Sequence, residues 1–516
     1  MVCNHDGGNV GLSRRGFIQS GALTAVAVPA VAAGVMSPAV ASESCPPVRE
    51  MAFAPAPDML ATAIAAAQWV TSAEQKDADG IHWLAEPDHP EKSETVSPNN
   101  GVYSGNAGTL LFFIELFNAT GENQYLTKVS LAADRLSATW RNLTEKSASV
   151  LAGLDFSLCA GVPGAAFALN EAAKVTRNSK HQAAAKDISD FIIRSADMSG
   201  KGLPWSPAAG VVGDSSTVLY LLYAAREFGD SRYRDMAARA GDMILKRSVK
   251  VPGAGLMWNG FPPSDLLPKN PNFPGFEAGT AGIAYTLARI FAETKDKKYL
   301  DAAKQGAAYV ESIAVVKGDA ALVPYQIPDQ GIYYLGYCHG ASGSARLFYE
   351  LYQSTGDPTY KMWVERLAQG IMQSGVPANR TPGFWNTVNQ CCGNAGLIDF
   401  FLSIWASWGD EKYREYAHHL AVNMISRGTN LDGKGMRWDM AWTRVLPAVV
   451  TAETGYSIGA SGIGTALLHL HLAGQGRYSA VHLPDNPFPR TARKPDLSSV
   501  QSKGAFSSRS LSTDKG

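Results

Sequence analysis

The sequence predicts an all-α protein, an (α/α)7 toroid built from seven helical hairpins. Two observations predict it. A glycine step of Gly-x-x-Gly type, with Ser216 in the second glycine's place in the third repeat, is followed by an apolar run and recurs seven times, with first glycines at Gly105, Gly161, Gly213, Gly279, Gly340, Gly393 and Gly459. A turn of the kind seen in "GDSRY" and "GDEKY" ends at Tyr125, Tyr233, Tyr299, Tyr360 and Tyr413, each 20 residues after its glycine. His181 and Ser479 hold that place in the second and seventh repeats. Self-similarity at such a period marks a chain of stacked supersecondary units.

The elements follow in chain order. "SRRGFIQSG" from Ser13 carries Arg14 and Arg15, then a mildly apolar stretch ends at Ala39-Val40-Ala41. Basic region, short apolar region and Ala-x-Ala step predict a signal peptide over 1–41 of the twin-arginine type, and so an exported, periplasmic or secreted protein. Pro29 and Pro38 argue against a membrane anchor there, so no stable span remains after cleavage. Residues 42–98 read as a Pro-rich lead-in and a first outer helix. The toroid is expected over 99–489, and a disordered Ser/Lys-rich tail over 490–516.

Within each repeat the run after the glycines, such as "CCGNAGLIDFFLSIW" from Cys391, is apolar or small throughout. A helix of that kind is buried on all sides. The next helix, as in "YREYAHHLAVNMISRG", has mixed faces and lies outside. One hairpin cannot cover its inner helix, so neighbours must stack. The first and last repeats look like the others, which favours a closed ring over an open solenoid. The glycines let the inner-helix starts crowd together at one end. Pro/Gly/Trp-rich connections, such as 199–210 and 252–276, are too long to be mere connectors and are expected to wall a pocket at that end.

Composition narrows the partners. Lys+Arg and Asp+Glu balance at 46 each, so no nucleic-acid partner is indicated. A monomer is expected. Of six cysteines, Cys3 would leave with the signal, and an odd five remain, which does not suggest a disulfide framework.

Three of those five fall at equivalent repeat positions. The two residues before the first glycine are Cys338 and His339 in the fifth repeat and Cys391 and Cys392 in the sixth. Adjacent repeats bring them together at the inner-helix starts, where the helix dipole favours thiolate. Three thiolates, with an imidazole beside them, suit Zn2+. Buried small cysteines, or a disulfide from Cys338 to one of the pair, are the competing readings. Cys159 stands in a repeat that is not adjacent and reads as core or pocket lining.

Seven such hairpins, with "GYCHGASG" in the fifth and "QCCGNAG" in the sixth, resemble the lanthionine synthetase C-like family. The resemblance spans roughly Asn99 to Pro489, including a closing "LPDNPFP". It implies a toroid that holds zinc through Cys338, Cys391 and Cys392, with Cys392 standing where most members have histidine. In the family's cyclases zinc activates a peptide thiol, which adds to a dehydroamino acid. Two departures follow. Ala278 stands where the cyclases carry a catalytic histidine, and Asp155 in "LDFSLCAG" matches their aspartate only loosely.

A Zn(Cys)3 site carries a net charge of about −1, which suits thiol alkylation better than hydrolysis. The candidates for the accompanying proton donor are His339, Glu277 and Asp155. The reading is a zinc-dependent enzyme forming C–S bonds on a peptide or small-molecule thiol. Two alternatives stand beside it. One is a non-catalytic toroid with a closed zinc site, His339 being the fourth ligand. The other is a carbohydrate-active α/α-toroid enzyme, which needs two facing carboxylates such as Glu277 and Asp155.

Overall fold

A computed structural model describes residues 57–90, 100–144, 153–261, 272–441, 444 and 447–490. The expected signal peptide, most of the Pro-rich lead-in and nearly all of the tail lie outside the described residues. Seven inner helices carry the glycine steps: α2 (Asn106–Thr120), α4 (Val162–Thr176), α6 (Asp214–Phe228), α8 (Thr280–Thr294), α10 (Ala341–Thr355), α12 (Asn394–Trp408) and α14 (Ala460–Gly474). Outer helices follow six of them: α3 (Asn123–Thr144), α5 (Ser179–Arg194), α7 (Ser231–Leu245), α9 (Lys297–Ile313), α11 (Pro358–Gln373) and α13 (Glu411–Ser426). Each inner helix packs on the next, and α14 packs back on α2, so the ring is closed. The outer partner of α14 is α1 (Met59–Ser72), the helix expected in the lead-in. The seventh hairpin is therefore assembled from two ends of the chain.

The hairpin turns explain the recurring "GD" and tyrosine. Gly121, Gly229, Gly356 and Gly409 end inner helices in the left-handed region, where glycine is unstrained. Asp230, Asp296, Asp357 and Asp410 then cap the outer helices, each side chain accepting a first-turn N–H. The tyrosine two or three residues on inserts under its own inner helix, as Tyr413 does against Phe401. Its polar tip ties to the preceding outer helix: Tyr299 donates to Asp242 at 2.8 Å and Tyr233 to Asp190 at 2.9 Å. His181 meets Asp134 at 2.8 Å in the same place.

The glycine steps do a more specific job than crowding neighbours. Each loop folds back so that its own carbonyls take up N–H groups at the helix start: Ala281 donates to Pro274, Ser342 to Leu335, Ala395 to Val388 and Ser461 to Thr454. These are donors that a helix otherwise leaves unpaired. A Cβ on Gly282 would collide with the carbonyl of Phe276, so only glycine admits the fold-back there.

Among the described residues the connections add five two-stranded sheets, which the helical repeat pattern did not announce. Three connections return a tryptophan to the end of an outer helix. Trp205, Trp258 and Trp438 donate their indole N–H to the carbonyls of Ile192, Ile244 and Met424. Among the described residues no helix is long and apolar enough to cross a membrane.

Candidate metal centre

The residues two before each first glycine form a collar at one end of the ring. Its loops are joined by backbone hydrogen bonds. Glu277 donates to Cys338 (2.6 Å), Cys338 to Cys391 (3.2 Å), Cys391 to Ser457 (2.9 Å), Ser457 to Tyr103 (2.7 Å) and Tyr103 to Cys159 (2.8 Å). Val212 donates to Glu277 at 3.0 Å on the remaining side. Every side chain in this collar is thus set by its neighbours.

Three sulfurs meet there. Cys338 Sγ lies 3.1 Å from Cys392 Sγ, which lies 3.5 Å from Cys391 Sγ, and all three fall within 4.8 Å of one another. None is in a disulfide. A tetrahedral zinc with Zn–S bonds of about 2.3 Å places sulfurs about 3.8 Å apart, so small adjustments admit the ion. Cys338 and Cys391 are buried and Cys392 is half-buried, as a closed-sided, open-topped site requires. The donor set, three soft sulfurs, fits zinc.

The electrostatics fit as well. Hydrogen bonds from the Cys338 and Cys391 thiols pull Cys392 down to about 5, against burial. Burial and the two neighbouring sulfurs push Cys338 well above the ordinary thiol range. Cys338 favours ionisation of Cys391, but Cys392 and burial outweigh it and Cys391 is also raised. Cys392 is therefore the most readily ionised of the three, and a metal ion would bind their thiolate forms. Asn389 fixes the loop by accepting the Cys392 N–H at 2.8 Å.

Two residues that sequence reasoning missed support the sulfurs. The Trp385 indole N–H donates to Cys392 and the Tyr103 hydroxyl to Cys391. Tyr103 occupies the same repeat column as Cys338 and Cys391, a signal that was available. Trp385 stands eight residues before Gly393, as Trp205 stands before Gly213, yet it serves a sulfur and not a helix end.

The structure brings two of the three acid–base candidates to the triad. Glu277, Cys338 and His339 place ligand atoms within 4.8 Å of one another. Burial, then Cys391 and Asp485, push the Glu277 carboxyl well above its usual range. His339 stands among Phe273, Tyr325 and Tyr334, with ring centroids 4.9–5.6 Å away. Its apolar surroundings lower it to about 4, so it is neutral, and its Nδ1 is buried with no partner. Ala278 is fully buried in the same apolar cluster. Asp155 belongs to neither group. Its carboxylate accepts the Ser157 N–H at 2.7 Å and its carbonyl the Val162 N–H at 3.0 Å, which shapes the turn before α4.

Inside the ring, a cavity of about 100 Å³ lies against Cys391 and Cys159. Burial and Glu277 raise Cys159, a pocket-lining thiol outside the triad. The closing segment seals the cavity from within. Asp485 is held by Arg346 at 3.0 Å and Tyr337 at 2.8 Å, and Glu115 accepts the N–H groups of Ala480 and Val481.

Comparison with known proteins agrees with this architecture. The family described as "Lanthionine synthetase C-like protein" matches residues 97–481. Among solved structures, one titled "Nisin cyclase" superposes with a TM-score of 0.55 at 16% identity, covering 74% of this chain and 91% of that one. At that identity it shows the fold. An unsaturated glucuronyl hydrolase specific for heparin reaches a TM-score of 0.41 at 12% identity, covering 81% of this chain and 97% of that one. An α-1,6-mannanase variant of Salegentibacter sp. HEL1_6 reaches 0.42 at 12% identity, covering 81% and 100%. At such scores neither bears on function. No curated protein sequence matches the chain. On the match over 97–481, with the closed ring of seven inner helices, the chain belongs to the lanthionine synthetase C-like family.

Proposed function

We propose that the chain is a zinc-dependent enzyme that adds a thiol of a peptide or small molecule to an activated carbon–carbon double bond. The observation that carries this is the triad of Cys338, Cys391 and Cys392, with sulfurs 3.1 and 3.5 Å apart beside the buried Glu277 carboxyl. Zinc bound to the triad would lower the pKa of an incoming thiol and so supply thiolate near neutral pH.

The chain's own residues do the rest. Three protein sulfurs leave one position of a tetrahedral site open. His339 groups with Glu277 and Cys338 and not with all three sulfurs, which supports the open site over the closed one. Phe273, Tyr325 and Tyr334 exclude water from that side. As the C–S bond forms at the β carbon, the π electrons move to the α carbon. Glu277 gives its proton there, and the proton lost by the thiol, passed through neutral His339, restores the carboxyl. His339 stands one repeat away from Ala278 and supplies the imidazole that the fourth repeat lacks.

We further propose that the enzyme acts outside the cytoplasm as a monomer, on the strength of Arg14, Arg15 and the Ala39–Ala41 step. Metal analysis of the purified protein, with X-ray absorption at the zinc edge, tests the central reading. One zinc with three sulfurs and one light ligand is expected. No stoichiometric zinc, or a shell closed by His339, overturns it.

A further inference from the structure

The two ligand groups share one atom. Cys338 belongs to the sulfur triad and also to the group with Glu277 and His339. We infer that Glu277, His339 and Cys338 form a second divalent-metal position, bridged to the first through the Cys338 sulfur, and that filling it inhibits the enzyme. The inhibitory part rests on the function proposed above; the second position does not.

Three observations point to a cation. The Nδ1 of His339 is buried with no partner, and an orphaned polar atom of that kind is costly to keep. The Glu277 carboxyl is buried beside sulfurs and has no ion-pair partner among the described residues. The backbone bond from Glu277 N–H to the Cys338 carbonyl, at 2.6 Å, locks the fourth-repeat loop to the fifth. Neutral imidazole, carboxylate and thiolate are a suitable mixed set for zinc. Charge favours it too. A zinc held by three thiolates leaves a net charge of about −1 in an apolar setting. A second divalent ion with the Glu277 carboxylate brings the total to about zero. Two ions bridged at the spacing common in two-metal sites, about 3.5–4 Å, would share Cys338.

The consequence is chemical. Binding at the second position occupies the Glu277 carboxyl oxygen and the His339 nitrogen. The addition would then lack its proton donor. Zinc at one equivalent activates, and zinc at two equivalents stops the reaction.

The test is a zinc titration of the whole protein, with bound metal per chain counted after desalting. The native protein is expected to bind two, the second weaker. Glu277→Gln and His339→Asn are each expected to bind one, with the first affinity unchanged within about threefold, a spread that context alone produces. Thiol addition by the native protein should fall at least tenfold as the second equivalent loads. Saturation of the native protein at one zinc, or two zincs in both variants, overturns the second position. Two zincs without loss of activity overturns inhibition. If the variants do not fold, the native stoichiometry and its inhibition curve still decide. No zinc at all overturns the proposed function together with this inference, whereas one zinc with active addition overturns this inference alone.

Discussion

Cys338 Sγ and Cys392 Sγ stand 3.1 Å apart although 54 residues separate them in the chain. Neighbouring hairpins deliver them from adjacent register positions, two residues and one residue before a helix-opening glycine. The metal prediction follows. Cys338→Ala, Cys391→Ala and Cys392→Ala should each lose zinc by at least a hundredfold in affinity, while Cys159→Ala retains it. Competition with a chromogenic chelator measures this. Equal losses in all four would mean that the ring places Cys159 differently.

Trp385 is expected to matter for metal although it is no ligand. Removing its N–H by Trp385→Phe takes a hydrogen bond from Cys392. Partners of ligand atoms are typically worth about 10–100-fold in metal affinity. Trp205→Phe, at the matching place in the third repeat, should leave metal affinity unchanged and lower the melting temperature instead. Chelator competition and thermal melts on the two variants separate the roles.

His469 gives a pH prediction. Burial opposes its charge, but Asp399 at 2.8 Å and Glu115 at 3.4 Å hold the imidazolium up to about 10. A raised folded-state pKa contributes stability that is fully present below the unfolded value of about 6.5 and is lost as pH rises toward 10. The native protein's denaturation midpoint should therefore fall between pH 7 and 10. His469→Gln should be less stable at pH 7 by about 3 kcal/mol, the cost of leaving buried carboxylates unpaired, and its midpoint should vary less over that window. An equal slope in both proteins would assign the pH dependence elsewhere.

The closing segment should be a stability element. Asp485 neutralises Arg346 where both are nearly out of water. Asp485→Ala leaves the guanidinium buried without a carboxylate, with only the residue-485 carbonyl and two aromatic rings against it, which should cost about 3 kcal/mol. The double variant Arg346→Met with Asp485→Leu should recover much of that loss. Urea unfolding of the three proteins checks it, and a double variant no better than Asp485→Ala would show that packing, not charge, is at stake.

Much of this molecule was legible in the sequence, because its information is columnar. The glycine column announced the hairpins, and the cysteines in that column announced the triad, since fifth and sixth repeats are neighbours. Glu277 was legible for the same reason. Tyr103 was harder. It reaches Cys391 across the seventh repeat, and that adjacency exists only once the ring is closed. The aromatic wall was not legible at all. Phe273, Tyr325 and Tyr334 come from irregular connections, where no period says which side chain turns inward. Asp155 was legible by position, while the turn it shapes through Ser157 was not.

The seventh hairpin takes its outer half from Met59–Ser72 and its inner half from Ala460–Gly474. That fact orders events in time. During synthesis the first six hairpins can form as they emerge, one after another. The last cannot, because its halves are the earliest and the latest helices of the ring. Until they dock, Ser457 cannot accept from Cys391 or donate to Tyr103, and the sulfur triad lacks its backing. A chain stalled before Ala460 would carry all three cysteines and still have no finished site. On the proposed reading, metal capture would wait until Met59–Ser72 docks against Ala460–Gly474.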